Sequence, residues 1–233
     1  MKLTCDNVFP ELWDYLTEHV TPERKLRFEE VVSMRTRHLS VVVEDIFQPH
    51  NASAVLRTCE CYGIQDVHII ENKNQYQINP DVVIGSANWI SLHRWNEKQH
   101  NTEDCLLHLI NSGYQIVATS LNEEAISLPD FIPQKKTALI FGNEVEGISD
   151  IVKAHADFFL RIPMYGFTES FNISVSAAIC LSKLCEVLKN SSINWQLSEH
   201  EQRTLLLEWI CKHLKNADVI IDRFLKKNQT AQH

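Results

Sequence analysis

The sequence predicts an α/β protein built on a parallel sheet, with helical extensions at both ends. Three observations carry that reading. Val41-Val42-Val43 is an unbroken β-branched run, the pattern of a strand buried on both faces. Further short runs at 67–70, 115–119, 137–141 and 158–162 alternate with stretches of helical periodicity, as parallel strands joined by crossover helices do. The segments outside this alternation carry helical patterns alone, which divides the chain into an extension at 1–38, a core at 39–190 and a second extension at 191–233.

Taken in order, the first extension reads as two short helices. Asn7 is placed to cap one that carries Leu12, Trp13 and Leu16, and Thr21-Pro22 supplies a cap and a first-turn proline for the next. The second helix and the residues after it hold Arg24, Lys25, Arg27, Arg35 and Arg37 among Glu23, Glu29 and Glu30. Such a stretch is either a solvated helix face or an arm that grips phosphates. In the core, the strand from Leu39 leads through a loop containing Pro49 to a helix at 52–62 that ends at Gly63. A strand at 67–70, a long polar loop at 72–88 and a short strand at 90–92 follow. Thr102 is expected to cap a helix that stops at Gly113, and strands at 115–119 and 137–141, a short helix at 148–155 and a strand at 158–162 complete the alternation. A helix from Ser174 to about Leu188 closes the core before Asn190-Ser191-Ser192. The tail shows a capping-box pattern, Ser198-x-x-Glu201, and a last helix at 216–227.

Composition narrows the class. An apolar fraction of 44% and a charged fraction of 22% describe a folded globular protein. No apolar run is long enough to cross a bilayer and no basic-then-apolar leader opens the chain, so a cytoplasmic protein without a membrane partner is expected. The seven cysteines are scattered without paired metal spacing and read as reduced thiols acting as small hydrophobes. Cys59 and Cys61 sit two apart on a predicted helix, where side chains do not face each other, and no metal is expected. A formal net charge of −8 argues against nucleic-acid binding by bulk electrostatics, so local clusters would have to supply it.

Three polar constellations fall at predicted strand ends, where open α/β sheets place their sites. The first, Pro49-His50-Asn51 through Arg57, puts Asn51 at a helix start and Arg57 six residues on, long enough to reach back toward it. The second, Gly142-Asn143-Glu144-Val145-Glu146-Gly147, brackets a turn with two of the chain's six glycines and sets Glu144 to bond Asn51 or backbone amides. Neither a Gly-x-Gly-x-x-Gly fingerprint nor a P-loop lysine is present, which excludes a dinucleotide-dependent oxidoreductase of the usual kind. The third runs from Ile162 past Pro163, Met164 and Gly166 to Thr168, Glu169, Ser170, Phe171 and Asn172. Apolar walls with a few placed polar groups describe either a small-molecule pocket or a well-capped strand-to-helix turn.

Together, Asn51–Arg57, Gly142–Gly147 and Ile162–Asn172 resemble, in order, the three motifs of the SpoU/TrmH family of RNA 2′-O-ribose methyltransferases, over about residues 39–190. The resemblance implies the SPOUT fold, a parallel sheet whose C-terminal segment forms a trefoil knot, and a homodimer with a site assembled from both chains. It also implies S-adenosyl-L-methionine as methyl donor, held by Thr119 and Leu121, Gly142, and the run Ile162, Met164, Ser170 and Phe171. Phe171 stands where the family usually has leucine. The catalytic set carried over is Arg57, Asn51, Glu144, Ser170 and Asn172. Guanidinium groups only donate hydrogen bonds, so the role expected of Arg57 is a phosphate clamp that stabilises alkoxide charge rather than a literal base. Asn51 and Glu144 are expected to hold the site together, and Asn172 to position the ribose. Chain length and both extensions look most like the members that methylate the D-loop guanosine at tRNA position 18. A ribosomal RNA target, another tRNA position, or a non-catalytic RNA-binding role stays open at this point.

Overall fold

A computed structural model describes residues 9–76, 85–122 and 124–230. Asn7, the expected cap of the first helix, and part of the expected loop at 72–88 lie outside the described residues. In chain order the elements are α1 (Phe9–Thr17), α2 (Pro22–Ser33), β1 (Leu39–Glu44), α3 (Pro49–Tyr62), β2 (Asp66–Ile70), β3 (Ser91–Trp95) and α4 (Thr102–Asn111). They continue with β4 (Gln115–Thr119), β5 (Ile126–Ser127), β6 (Thr137–Phe141), α5 (Asp150–His155), β7 (Phe158–Arg161), α6 (Ile173–Lys189), α7 (Glu199–His213) and α8 (Ala217–Thr230). The chain divides into two compact units: residues 36–195, and the segments before and after them.

The larger unit is organised by one seven-stranded sheet in the order β3-β2-β1-β6-β4-β7-β5, with every pairing parallel. β1 lies inside it, next to the central β6, and Val41 stands beside Val67 on one neighbour and Leu139 on the other. All six β1 residues are buried, as the unbroken β-branched run requires. Successive side chains leave opposite faces. Leu39, Val41 and Val43 join Val55, Leu56 and Cys59 of α3 and Ala177, Leu181 and Leu184 of α6 in one core. Val42, with Ile116, Ala118 and Ile140, packs against Cys105, Leu106 and Leu109 of α4 on the other. Burial pushes the Cys180 thiol up to about 12 and the Cys185 thiol up to about 11. Both therefore act as hydrophobes rather than nucleophiles.

Several boundaries differ from the sequence expectation for local reasons. α3 begins at Pro49, not at 52, because a proline needs no N–H partner in the first turn. Asn101 rather than Thr102 precedes α4; its side chain accepts from Lys98 N at 2.9 Å and donates to the Glu71 carbonyl at 2.8 Å. Thr102 instead donates its hydroxyl to the buried Glu44 Oε1 at 2.7 Å. β3 extends to Trp95 through residues that are half-buried or exposed, and β5 is a two-residue edge strand. Neither leaves a clear apolar period to read.

The second unit gathers α1, α2, α7 and α8 around Leu12, Leu16, Phe28, Leu205, Trp209, Ile210 and Phe224. Phe28 sits 6.5 Å from both Trp13 and Trp209, ring centre to ring centre. Thr21 caps α2 by accepting from Arg24 N, and the capping box forms at Ser198 and Glu201 as the sequence indicates. Among the described residues no helix is long and apolar enough to cross a membrane.

One buried titratable group sets a pH limit on the core. His68 on β2 is 3% exposed, stacks on His93 at 4.5 Å, and accepts from Trp95 Nε1 at 3.1 Å, with His108 and Asp66 nearby. Burial, helped by the neighbouring His93 and opposed by Asp66, pushes its imidazole down to about 3. The ring is neutral in the fold but binds a proton in the unfolded chain below about pH 6.5, so its contribution is intact above that pH and is lost as pH falls. Wild-type protein is expected to lose on the order of 2 kcal/mol from this ring between about pH 7 and about pH 5. Urea denaturation at the two pH values should show His68→Gln losing correspondingly less.

Candidate active site

The site assembles because β6, β4 and β7 are adjacent parallel strands. Parallel neighbours end on the same edge of a sheet, so the turns after Thr119, Phe141 and Arg161 emerge side by side. The α3 N-terminus is brought to the same edge by β1, the other neighbour of β6.

The turn after β6 is closed by its backbone: Asn143 and Gly147 exchange two N–H···O bonds of 2.9 Å each. Gly147 takes φ 72°, and a Cβ on Gly142 would lie 2.3 Å from the Gly147 carbonyl. Only glycine fits at 142, because the chain folds back directly over it. This geometry points Glu144 at α3. Asn51, 4% exposed, donates from Nδ2 to Glu144 Oε1 at 2.7 Å and accepts at Oδ1 from Asn172 Nδ2 at 3.0 Å. Asn172 is also the α6 cap, accepting from Ser174 N at 2.9 Å and from the Ser174 hydroxyl at 2.6 Å. Glu144 Oε2 accepts from Phe47 N at 3.1 Å. One hydrogen-bonded chain thus ties the loop before α3, the 142–147 turn and the start of α6.

The expected pairing of Asn51 with Glu144 is present. Asn172, expected to position the ribose, instead has its amide bonded to Asn51 and its carbonyl committed to capping. Arg57 does not reach back to this cluster. It is exposed and makes no ion pair or side-chain hydrogen bond among the described residues. Six residues of α-helix turn the chain by about 240° beyond a full circle, which sends Arg57 away from the Asn51 face.

The residues expected to hold the donor line one edge but do not form a closed box. Ile162 and Met164 are half-buried, Ser170 is exposed, Phe171 is 44% exposed and Leu121 59%. The Thr119 hydroxyl is committed to the Ile140 carbonyl at 3.0 Å. Backbone-rich turns flanked by Leu121, Ile162, Met164 and Phe171, with the small Gly142 between them, fit a flat neutral purine nucleoside.

The basic stretch at 24–37 is not one surface. Arg35 is 1% exposed with its guanidinium 5.3 Å from the Trp209 ring centre, so it is part of a core and not an RNA contact. Its stem is buried against the indole and its charge lies over the ring face. Arg37 belongs to the other unit and pairs with Asp66 at 2.9 Å. Arg24 is half-buried over Phe28 and beside His213. Lys25 and Arg27 remain at the surface, 3.1 Å from Asp14 and 3.5 Å from Glu30.

Asp45, Phe47, Lys73 and Asn74, not singled out from sequence, come together beside the 142–147 turn. Asp45, Phe47, Lys73, Asn74, Asn143, Val145 and Glu146 line a cleft of about 240 Å3. Asp45 takes φ 52° and its Oδ1 accepts from the amides of Asn72, Lys73 and Asn74 at 2.7, 2.8 and 3.2 Å. The polar stretch after β2, following a strand end, was the available signal.

Gly142→Ala is expected to force the turn open, lowering stability by about 2–3 kcal/mol and abolishing donor binding. Urea denaturation and calorimetry with S-adenosylmethionine measure the two effects.

With this geometry in place, similarity to known proteins becomes informative. The SpoU rRNA Methylase family matches residues 38–182. The tRNA (guanosine(18)-2′-O)-methyltransferase of Borreliella burgdorferi is 44% identical over 205 residues, covering 88% of this chain and 92% of that protein. The protein of the same name from Escherichia coli K12 is 31% identical, covering 81% and 82%. The crystal structure of the A. aeolicus TrmH/SpoU tRNA modifying enzyme superposes with a TM-score of 0.74 at 30% identity, covering 83% of this chain and 98% of that one. The matched residues contain all three turns described above, and the chain belongs to the SpoU methylase family.

Proposed function

We propose that this protein transfers a methyl group from S-adenosylmethionine to the ribose 2′-oxygen of a tRNA guanosine, the one at position 18 that its relatives are named for. The observation that carries the reading is the chain Glu144–Asn51–Asn172, which joins the three family motifs at one sheet edge. When bound, S-adenosylmethionine supplies an electrophilic methyl carbon, so the protein has mainly to align the attacking oxygen and steady its charge. Leu121, Gly142, Ile162, Met164 and Phe171 hold the nucleoside, with Thr119 fixing the end of β4 and Ser170 offering a hydroxyl at the open side. Arg57 clamps the phosphate next to the target ribose and donates to the 2′-oxygen as negative charge builds there, while the hydroxyl proton passes to solvent water. Asn51, Glu144 and Asn172 keep the turns in register.

The site is completed by a second copy of the chain. Two features support this: Arg57 points away from its own Asn51 cluster, and Tyr165, Phe167, Phe171 and Val175 expose apolar surface in one short segment. Sedimentation at twice the monomer mass is the expected result. In the family's knotted form the 162–172 segment is threaded through a loop of the sheet, and the approach of α6 to α3 at the Asn51–Asn172 bond is consistent with that. The core of residues 39–190 carries the transfer, and the extensions at 1–38 and 191–233 grip tRNA through Lys25, Arg27 and Arg24. The protein acts in the cytoplasm.

Total tRNA incubated with labelled donor should acquire one methylated ribose, at the D-loop guanosine. Label found only in ribosomal RNA would overturn the assignment. Arg57→Ala should lower kcat about 100-fold or more while leaving donor binding intact. Near-normal turnover would remove Arg57 from the mechanism.

A further inference from the structure

The cleft beside the 142–147 turn is a built feature next to the proposed ribose site. Asp45 holds the left-handed conformation, uncommon for a non-glycine residue, because three amides converge on its carboxylate and the side chains of Asn74 and Asn143 bond its carbonyl at 2.9 and 2.6 Å. That framework fixes the 72–74 segment against the turn. Across the cleft, Lys73 Nζ meets both Glu146 oxygens, at 3.0 and 2.7 Å. Both side chains are about two-thirds exposed, and a pair this exposed contributes little to stability. Phe47, 65% exposed, stands at the rim, and its amide bonds the same Glu144 carboxylate that holds Asn51. An exposed aromatic ring anchored to the cluster that joins the three motifs is the arrangement with which proteins stack unpaired RNA bases.

We propose that this cleft receives the nucleobase of the target nucleotide, stacked on Phe47, and that Glu146, oriented by Lys73, reads guanine. The inference rests on the methyl-transfer function proposed above and adds where base selectivity resides. Guanine alone among the four RNA bases presents two adjacent donors, N1–H and the 2-amino group, which one carboxylate accepts together. Its O6 acceptor lies beside them, where the Lys73 ammonium can donate. Glu144 and Glu146 then divide the work of one turn, the first holding Asn51 and the Phe47 amide and the second facing the base.

The test measures kcat/KM with the full chain on tRNA transcripts carrying guanosine or inosine at the target position. Inosine keeps O6 and N1–H but lacks the 2-amino group. Wild type is expected to prefer guanosine about tenfold, and Glu146→Gln to bring the guanosine-to-inosine ratio close to one. Phe47→Ala should raise KM about tenfold for both transcripts, whereas Phe47→Trp should retain the wild-type value. Donor affinity by calorimetry should be unchanged in all three variants, which separates base reading from damage to the fold. A wild-type ratio of one, or a Glu146→Gln ratio equal to wild type's, overturns the assignment of Glu146. Full activity in Phe47→Ala overturns the stacking role. Wild type that methylates neither transcript overturns the proposed function, and this inference with it.

Discussion

The amide of Asn51 is the point on which the site depends. It sits almost wholly buried at the start of α3 and is bonded at both ends, donating a hydrogen bond to Glu144 and accepting one from Asn172. The two partners lie 93 and 121 residues away in sequence. Only a group that donates and accepts from one planar head can serve both. An aspartate would face the Glu144 carboxylate with a second negative charge, and an aliphatic residue would break both links. Asn51 is the buried member of the chain, and leaving one end of its amide unmade by loss of either partner costs about 1–3 kcal/mol, so the geometry of all three turns is coupled to this one side chain.

What places Asn51 there is the sheet. Because β1 and β6 are central neighbours and β4 and β7 continue the same parallel array, four strand ends open on one edge. The two faces are sealed by separate cores that divide β1 residue by residue, Val41 and Val43 to one and Val42 to the other. The edge therefore cannot shift register without moving buried side chains to the wrong face. The Gly142–Gly147 turn adds rigidity of a different kind, since its closure leaves no room for a Cβ at 142. A stiff turn lets alternate glutamates, Glu144 and Glu146, reach different partners, Asn51 and Lys73.

The extent to which this was legible varies with the physics involved. Strands buried on both faces are written as unbroken apolar runs, and β4 and β6 fall where those runs indicate. The Asn51–Glu144 contact followed from motif positions at strand ends. Edge elements were less legible: β5 is two residues long, and β3 carries the mixed sequence Ser91-Leu92-His93-Arg94-Trp95. Arg35 was misplaced because sequence gives its charge but not its partner, and an indole 174 residues away along the chain leaves no local trace. Asp45 and Phe47 went unnoticed for a related reason. Their significance comes from amides of the 72–74 segment and from Glu144, all distant in sequence.

Charge is where the fold constrains function most. The chain is acidic, at −8, and several of its arginines are used internally: Arg35 over Trp209, Arg37 with Asp66, and Arg94 with both oxygens of Glu71 at 2.7 and 3.0 Å. A long-range positive field that would steer RNA is therefore weak. Recognition of an RNA substrate then depends on short-range groups, and those at the site itself add to the few surface cations of the extensions. Exposed Arg57, the open aromatic rings of Phe47 and Phe171, and the paired Lys73 and Glu146 are groups of that kind. Stacking and directional hydrogen bonds act only on a base already unpaired and turned outward. An acidic protein with this site should accordingly select by the shape of an accessible loop, and the rigid Asn51-centred edge is what holds that shape against solvent.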